Sequence, residues 1–354
     1  MANTPLLTVT DRGLYCEAAD VYIDPWKPVP RAVVTHAHGD HLTWGCDAYL
    51  VSDAGAGVSR ERLGTWARGL ESMPYGEIRT INGVRVSLHP AGHILGSAQV
   101  RVEYGGEVWV VSGDYKTDPD RTCAPWEPVR CHTFITESTF GLPIYQWAPP
   151  AQVAAEIKAW WAGNARAGRT SVLCGYALGK AQRLLAMLDA AIGPILTHGA
   201  VERMTTLYRE AGVELPPTRY VGDLAKGEPT AGAIVIAPPS VIGTSWMRRF
   251  GESRTAFASG WMRVRGVRRR RGVDAGFTCS DHVDWPQLLG AIEATGAEQV
   301  WVTHGFTSQV VQWLKEQGRD ARVLATRWEG DAAADREQDA SADAAVNASD
   351  ETST

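Results

Sequence analysis

Residues 35–41 read THAHGDH and place three of the chain's nine histidines, with one aspartate, inside seven positions. The stretch follows RAVV (31–34), a β-branched, apolar run that predicts a buried strand emptying into a loop. Ligand-type side chains at a strand end make poor core filling. Histidines this close repel one another once protonated, and a bound cation that keeps them neutral removes that cost. Alternate side chains of an extended segment share a side, so His36 and His38 can grip one ion together. Asp40 and His41 are consecutive and suit a second ion beside the first.

A fold that carries this loop must bring further ligands to it, and the chain offers them at strand ends. They are His93 in HPAGHILGS, Asp114 in VVSGDYK and His304 in VWVTHGF. A carboxylate has two oxygens and can serve two cations, which makes Asp114 the natural bridge. Imidazole and carboxylate donors without sulfur suit Zn²⁺, with Mn²⁺ as the alternative. Two such ions can activate a water between them and clamp a phosphate or carbonyl in line. One such histidine alone is more often a satisfied structural residue, and only the combination points to a metal centre.

Composition sets the frame. At 354 residues, with 44% hydrophobic and 21% charged residues, the chain has room for two domains or one elaborated domain. The net charge of −5 is unevenly spread: residues 331–354 hold seven acidic residues and one arginine, −6 in all, which leaves the remainder at about +1. That tail has almost no apolar anchor and reads as disordered. Six scattered cysteines with no C-x-x-C pair argue for a reducing compartment and against a thiolate zinc site. No stretch approaches the roughly 18 apolar residues of a membrane span, and the N-terminus has no signal-peptide pattern. The expectation is a cytoplasmic protein.

Up to about residue 140 the chain reads as short strands with tight turns, including a hairpin signal at YGGE (104–107). Residues 150–191 turn Ala/Leu-rich with helical periodicity, and strand–helix alternation continues beyond, which predicts an α/β block on a mostly parallel sheet. From about 273 a strand, a loop, a helix and a strand ending in His304 resume the first texture, as if the first domain closed after an insertion.

The H-x-H-x-D-H motif and its companions resemble the metallo-β-lactamase fold. That resemblance implies His36, His38, His93 and Asp114 on one metal and Asp40, His41, Asp114 and His304 on the other. It also matches Asp24 in YIDPW to an aspartate that orients a ligand from behind. Glu137 in FITESTFG, His282 with Asp284 in FTCSDHVDW, and the helical block between them resemble the β-CASP nucleases. The implied architecture is an αββα sandwich (1–144 and 266–330) with an inserted β-CASP-like α/β domain (145–265) and the tail 331–354. GYALGKAQRLL (175–185), APPSV (237–241) and ASGWMRVRG (258–266) are similar to landmarks of the bacterial DNA-ligase-associated exonuclease group. The resemblance implies a nuclease acting on DNA rather than RNA, functionally associated with an ATP-dependent DNA ligase and a helicase. In that reading His282 is the general acid, Glu137 orients His282 or His304, Asp284 is a partner of the same kind, and Asp40 joins the catalytic set.

A polyanionic substrate also fits the charge pattern. Six arginines fall between 263 and 271: Arg263, Arg265, Arg268, Arg269, Arg270 and Arg271. Clusters of this kind neutralise phosphates and release counterions, and Lys180 and Arg183 of GKAQR are expected to face the same groove. An RNA-processing β-CASP ribonuclease is the nearest alternative, followed by a small-molecule metallohydrolase and a non-catalytic nucleic-acid-binding subunit.

Overall fold

The computed structural model describes residues 5–264, 266 and 272–327. Arg265, Arg268, Arg269, Arg270, Arg271 and the acidic tail lie outside the described residues. The chain divides into two compact units, one running through Gln146 and resuming at His282, the other spanning Trp147–Asp281.

The first unit opens with a six-stranded sheet whose strands neighbour one another in chain order: β1 (Thr8–Val9), β2 (Leu14–Cys16), β3 (Val21–Ile23), β4 (Arg31–Val33), β5 (Ala48–Ser52) and β6 (Leu70–Met73). Helix α1 (Ala56–Leu63) lies between β5 and β6 in the chain. A second sheet follows with β7 (Ile78–Ile81), β8 (Val84–Pro90), β9 (Ala98–Tyr104), β10 (Glu107–Val111) and β11 (Thr133–Ser138).

In the second unit, α2 (Pro150–Arg166) buries Val153, Ile157, Trp161 and Asn164, a single stripe at helical spacing. Its sheet holds β12 (Thr170–Cys174), β13 (Ile195–Thr197), β14 (Arg219–Tyr220), β15 (Ile234–Ala237), β16 (Ser253–Ala258) and β17 (Ala275–Phe277), with α3 (Lys180–Met187) and α4 (Gly199–Glu210) between strands. Every pairing is parallel, in the order β14-β13-β15-β12-β16-β17. The sequence reading put residues 266–281 back in the first domain. Instead β17 pairs with β16 (Ala256↔Ala275, Ala258↔Phe277) and extends the second unit's sheet, so the return comes at His282.

The chain then adds α5 (Trp285–Thr295), β18 (Gln299–Gly305), α6 (Thr307–Glu316) and β19 (Asp320–Val323) to the first unit. Strands β18 and β19 complete the second sheet in the order β19-β18-β11-β10-β9-β8-β7. Period-2 alternation sorts its two faces. Trp109, Val111, Ile135 and Trp301 share a core with Leu14, Ile23, Val33 and Leu50 of the first sheet. Val110, Phe134, Val300 and Val302 turn the other way, onto Leu288 and Ile292 of α5 and Val310 and Leu314 of α6. Each such buried aliphatic or aromatic side chain contributes about 1.5–3 kcal/mol, so this two-faced sheet is the rigid frame of the unit.

That frame fixes where polar residues can gather. Strands β10, β11 and β18 run parallel (Val111↔Ile135, Glu137↔Thr303), so their C-terminal ends open on one edge. A register shift between Glu137 and Ser138 kinks the β11–β18 ladder before its last pair, Ser138↔Gly305. Gly305 allows it: φ is +82°, and a Cβ would lie 2.3 Å from the Ser138 carbonyl oxygen.

Candidate metal centre

The loop after β4 carries His36, His38, Asp40 and His41, the β8–β9 connection carries His93, and the ends of β10, β11 and β18 carry Asp114, Glu137 and His304. His36, His38, His93 and Asp114 are all buried, with one ligand atom each inside a 4.8 Å cluster. Asp114 presents its two oxygens to two groups of histidines. Oδ2 lies 3.6 Å from His36 Nε2 and 3.8 Å from His93 Nε2. Oδ1 lies 3.0 Å from His304 Nε2 and 3.7 Å from His41 Nε2, and Asp40 Oδ2 is 3.6 Å from that same His41 nitrogen. His36 and His93 thus fall on one side of this carboxylate, and His41 and His304 on the other.

The chemistry of these donors fits a cation. His36 Nε2 is buried and has no hydrogen-bond partner among the described residues. His38 Nδ1 faces His93 Nε2 at 3.1 Å, so a proton or a cation must separate their lone pairs. Burial, then the neighbouring His41, holds His36 well below the usual histidine range, in the neutral form that ligates. At His41 burial acts in the same sense, but the carboxylates of Asp40, Asp114 and Asp24 outweigh it and lift the ring to about 10. The pocket around His41 therefore draws positive charge. Asp114 is driven the opposite way: burial would raise it, and His41, His282 and His304 hold it well below the carboxylate range.

Behind the ligands, Asp24 accepts from Thr35 N (2.7 Å), Thr35 Oγ1 (2.5 Å) and His41 Nδ1 (2.7 Å). These bonds tie Asp24, matched in the sequence to an aspartate that orients a ligand, to Thr35 and His41. The role of Thr35 was not anticipated, although the residue opens the quoted motif.

Glu137 and His282 form a second buried group with Asp114. His282 Nδ1 lies 2.8 Å and 3.0 Å from the two Glu137 oxygens, against 3.9 Å from Glu137 to His304 Nε2, so the nearer partner of Glu137 is His282. Tyr115 N and Thr139 Oγ1 also donate to Glu137, at 2.9 and 2.5 Å. The sequence resemblance leaves His282 out of both ligand sets and makes it the general acid. The structure brings its Nδ1 to 4.0 Å from Asp114 Oδ2 and its ring to 4.7 Å from that of His93.

The surroundings of the remaining candidates differ. Asp284 caps α5, accepting from Gln287 N at 3.0 Å, a duty that the D-W-P sequence signals by itself. Lys180 and Arg183 do not line an open groove. Both are buried, with Lys180 Nζ 2.8 Å and Arg183 Nε 2.9 Å from the two oxygens of Asp281, so their charge is met inside the protein. Arg263 is exposed.

No family model matches the chain. It is 36% identical over 315 residues to a "Probable DNA ligase" of Opitutus terrae, an alignment covering 88% of this chain and 30% of that protein. It is 34% identical over 125 residues to the "Endoribonuclease ysh1" of Aspergillus fumigatus, and 32% identical over 122 residues to that of Schizosaccharomyces pombe. Each of these covers 34% of this chain, with 14% and 16% of the respective relatives. The chain thus spans less than a third of the length of these curated relatives. A crystal structure of a protein of unknown function from Enterococcus faecalis matches with a TM-score of 0.58 at 11% identity, over 84% of this chain and 80% of that one, and shows the same α/β fold.

Proposed function

We propose, from the premise that this chain belongs to the β-CASP branch of the metallo-β-lactamase family, that it is a metal-dependent nuclease hydrolysing phosphodiester bonds. The observation that carries this reading is the division of Asp114, with His36 and His93 on Oδ2 and His41 and His304 on Oδ1. His36, His38, His93 and Asp114 would hold one ion, and Asp40, His41, Asp114 and His304 the other, Zn²⁺ before Mn²⁺ on donor chemistry. Metal held by these residues would supply a water of lowered pKa and offset charge on the non-bridging phosphate oxygens. His282 supplies the proton for the leaving 3′-oxygen. Glu137 engages its Nδ1, which leaves Nε2 as the atom that hands the proton over. Tyr115 N and Thr139 Oγ1 fix Glu137 in turn.

DNA is the favoured substrate, degraded from an end. Similarity across 88% of this chain to a protein named "Probable DNA ligase" supports a functional link between end trimming and end sealing by a DNA ligase; the ATP dependence of that ligase and a helicase as a further associate rest on the resemblance of the sequence landmarks alone. The "Endoribonuclease ysh1" relatives support RNA as the second reading. Exposed Arg263 and the arginines that follow supply a sequence-independent phosphate contact. Among the described residues no helix is long and apolar enough to cross a membrane, and the cytoplasm is the proposed setting. Linear single-stranded DNA, its circular counterpart and a matched RNA, each titrated with Zn²⁺ or Mn²⁺, form the deciding panel. Degradation of the linear DNA alone is the expected result. Cutting of the circle would replace exonuclease by endonuclease, and preference for RNA would replace DNA.

A further inference from the structure

We infer that the Thr35 hydroxyl is a positioning residue that sets the tautomer of His36 and aims its Nε2 at the metal centre. The inference rests on the metal-dependent reading above and follows from a count of hydrogens. Asp24, as a carboxylate, can only accept, and its Oδ2 lies 2.5 Å from Thr35 Oγ1. The single hydroxyl hydrogen of Thr35 is therefore committed to Asp24. His36 Nδ1 lies 3.0 Å from that same oxygen, so the ring must be the donor in this bond. The proton on His36 then sits on Nδ1. Nε2 keeps its lone pair, and this is the buried nitrogen with no hydrogen-bond partner among the described residues, 3.6 Å from Asp114 Oδ2.

Asp24 does the same for His41 without an intermediary, accepting from Nδ1 at 2.7 Å and leaving Nε2 on the Oδ1 side of Asp114. One carboxylate thus turns an Nε2 toward each side of Asp114, directly through His41 and by way of Thr35 through His36. The backbone is shaped to keep this relay closed. Asp24 is held at φ +42°, a conformation that non-glycine residues rarely adopt and that the three bonds to Thr35 and His41 stabilise. Gly113, with φ +56°, lets the strand end before Asp114 approach Thr35 so closely that a Cβ would fall 2.6 Å from the threonine Cβ.

The test begins on metal-free protein. Long-range ¹H–¹⁵N correlation of the His36 ring should show the Nδ1–H form in the wild type and in Thr35→Ser, and a mixture of tautomers in Thr35→Val. Zinc affinity, read by competition with a chromophoric chelator, should fall about 10–100-fold in Thr35→Val and stay close to wild type in Thr35→Ser. An Nε2–H His36 in the wild type overturns the inference, as does a Thr35→Val protein with unaltered tautomer and affinity. Should Thr35→Val not fold, the tautomer in the wild type and in Thr35→Ser decides alone. A wild-type protein that binds no zinc or manganese would instead remove the metal-dependent reading, and the tautomer measured without metal keeps the two failures apart.

Discussion

The loop at His36–His41 and the helix at Lys180–Met187 both put charged or ligand-type side chains in buried positions after a strand, and they resolve that charge in opposite ways. Around Lys180 and Arg183 the structure supplies its own answer: Asp281 offers one oxygen to each cation, and all three residues are at most 3% exposed. Around Asp114 several histidines converge on one carboxylate, and His36 Nε2 makes no hydrogen bond among the described residues. A buried charge met by a counter-charge of the same chain, as at Asp281, needs no ligand to account for it. Buried donors aimed at common space are an invitation to a ligand. Residue type alone does not separate the two cases; where the counter-charge comes from does.

The largest expected effect comes from breaking the open side of this comparison. Asp114→Ala removes the carboxylate that faces both histidine groups, so elemental analysis should find both ions depleted and nuclease activity at background. Full metal occupancy in that variant would take Asp114 out of the centre. Next in size is His282→Ala. If Nε2 of His282 delivers the proton, the rate falls about 10²–10⁴-fold, and much of the loss returns on a nitrophenyl phosphodiester, whose leaving group needs little protonation. His36→Ala should gain nothing from that substrate. Because His282 also lies within 4.0 Å of Asp114, metal content must be measured alongside. Loss of an ion in His282→Ala would make the residue a ligand and end its role as general acid.

The residues that gather around Asp114 were legible in the sequence because metal chemistry admits few residue types and the parallel strands expose them at their ends. His93, Asp114 and His304 could be picked out one motif at a time. Asp24 was reachable only through resemblance, since nothing in YIDPW announces a bond to a histidine 17 residues on. Thr35 stayed unread because its importance lies in where one hydrogen goes. Lys180 and Arg183 were misread for a related reason: their charge is visible locally, while Asp281 lies about 100 residues away. The second unit's extent was misplaced because β17 is only three residues long and owes its existence to a ladder with β16.

The closed side is sharpened by Asp281→Asn. Two buried cations would lose their shared counter-charge, and breaking a buried ion pair in this way costs about 3–5 kcal/mol. Denaturant unfolding should show that loss, while metal content below the transition stays at the wild-type level. Unchanged stability together with weakened DNA binding would return Lys180 and Arg183 to the phosphate-contact role that their burial argues against.

The smallest effect concerns two buried histidines whose surroundings act in opposite senses. His41 sits among carboxylates and is raised to about 10, whereas His198, buried at the N-cap of α4 beside Arg249, is lowered to about 4. Burial is the main cause at His198, and the arginine adds to it. In the folded protein His198 therefore stays neutral through a range where the unfolded chain, with its ordinary value of 6.5, already binds a proton. The stability it contributes is complete above pH 6.5 and is lost as pH falls toward about 4, by about 3 kcal/mol at most. His198→Asn keeps an acceptor for Ala200 N, which His198 Nδ1 now receives at 3.1 Å, but cannot titrate. Its unfolding free energy should be flatter than the wild type's between pH 6.5 and 4. Parallel pH profiles for the two proteins would mean that the ring takes up its proton without cost, and that its burial is less complete than its packing against Trp246 indicates.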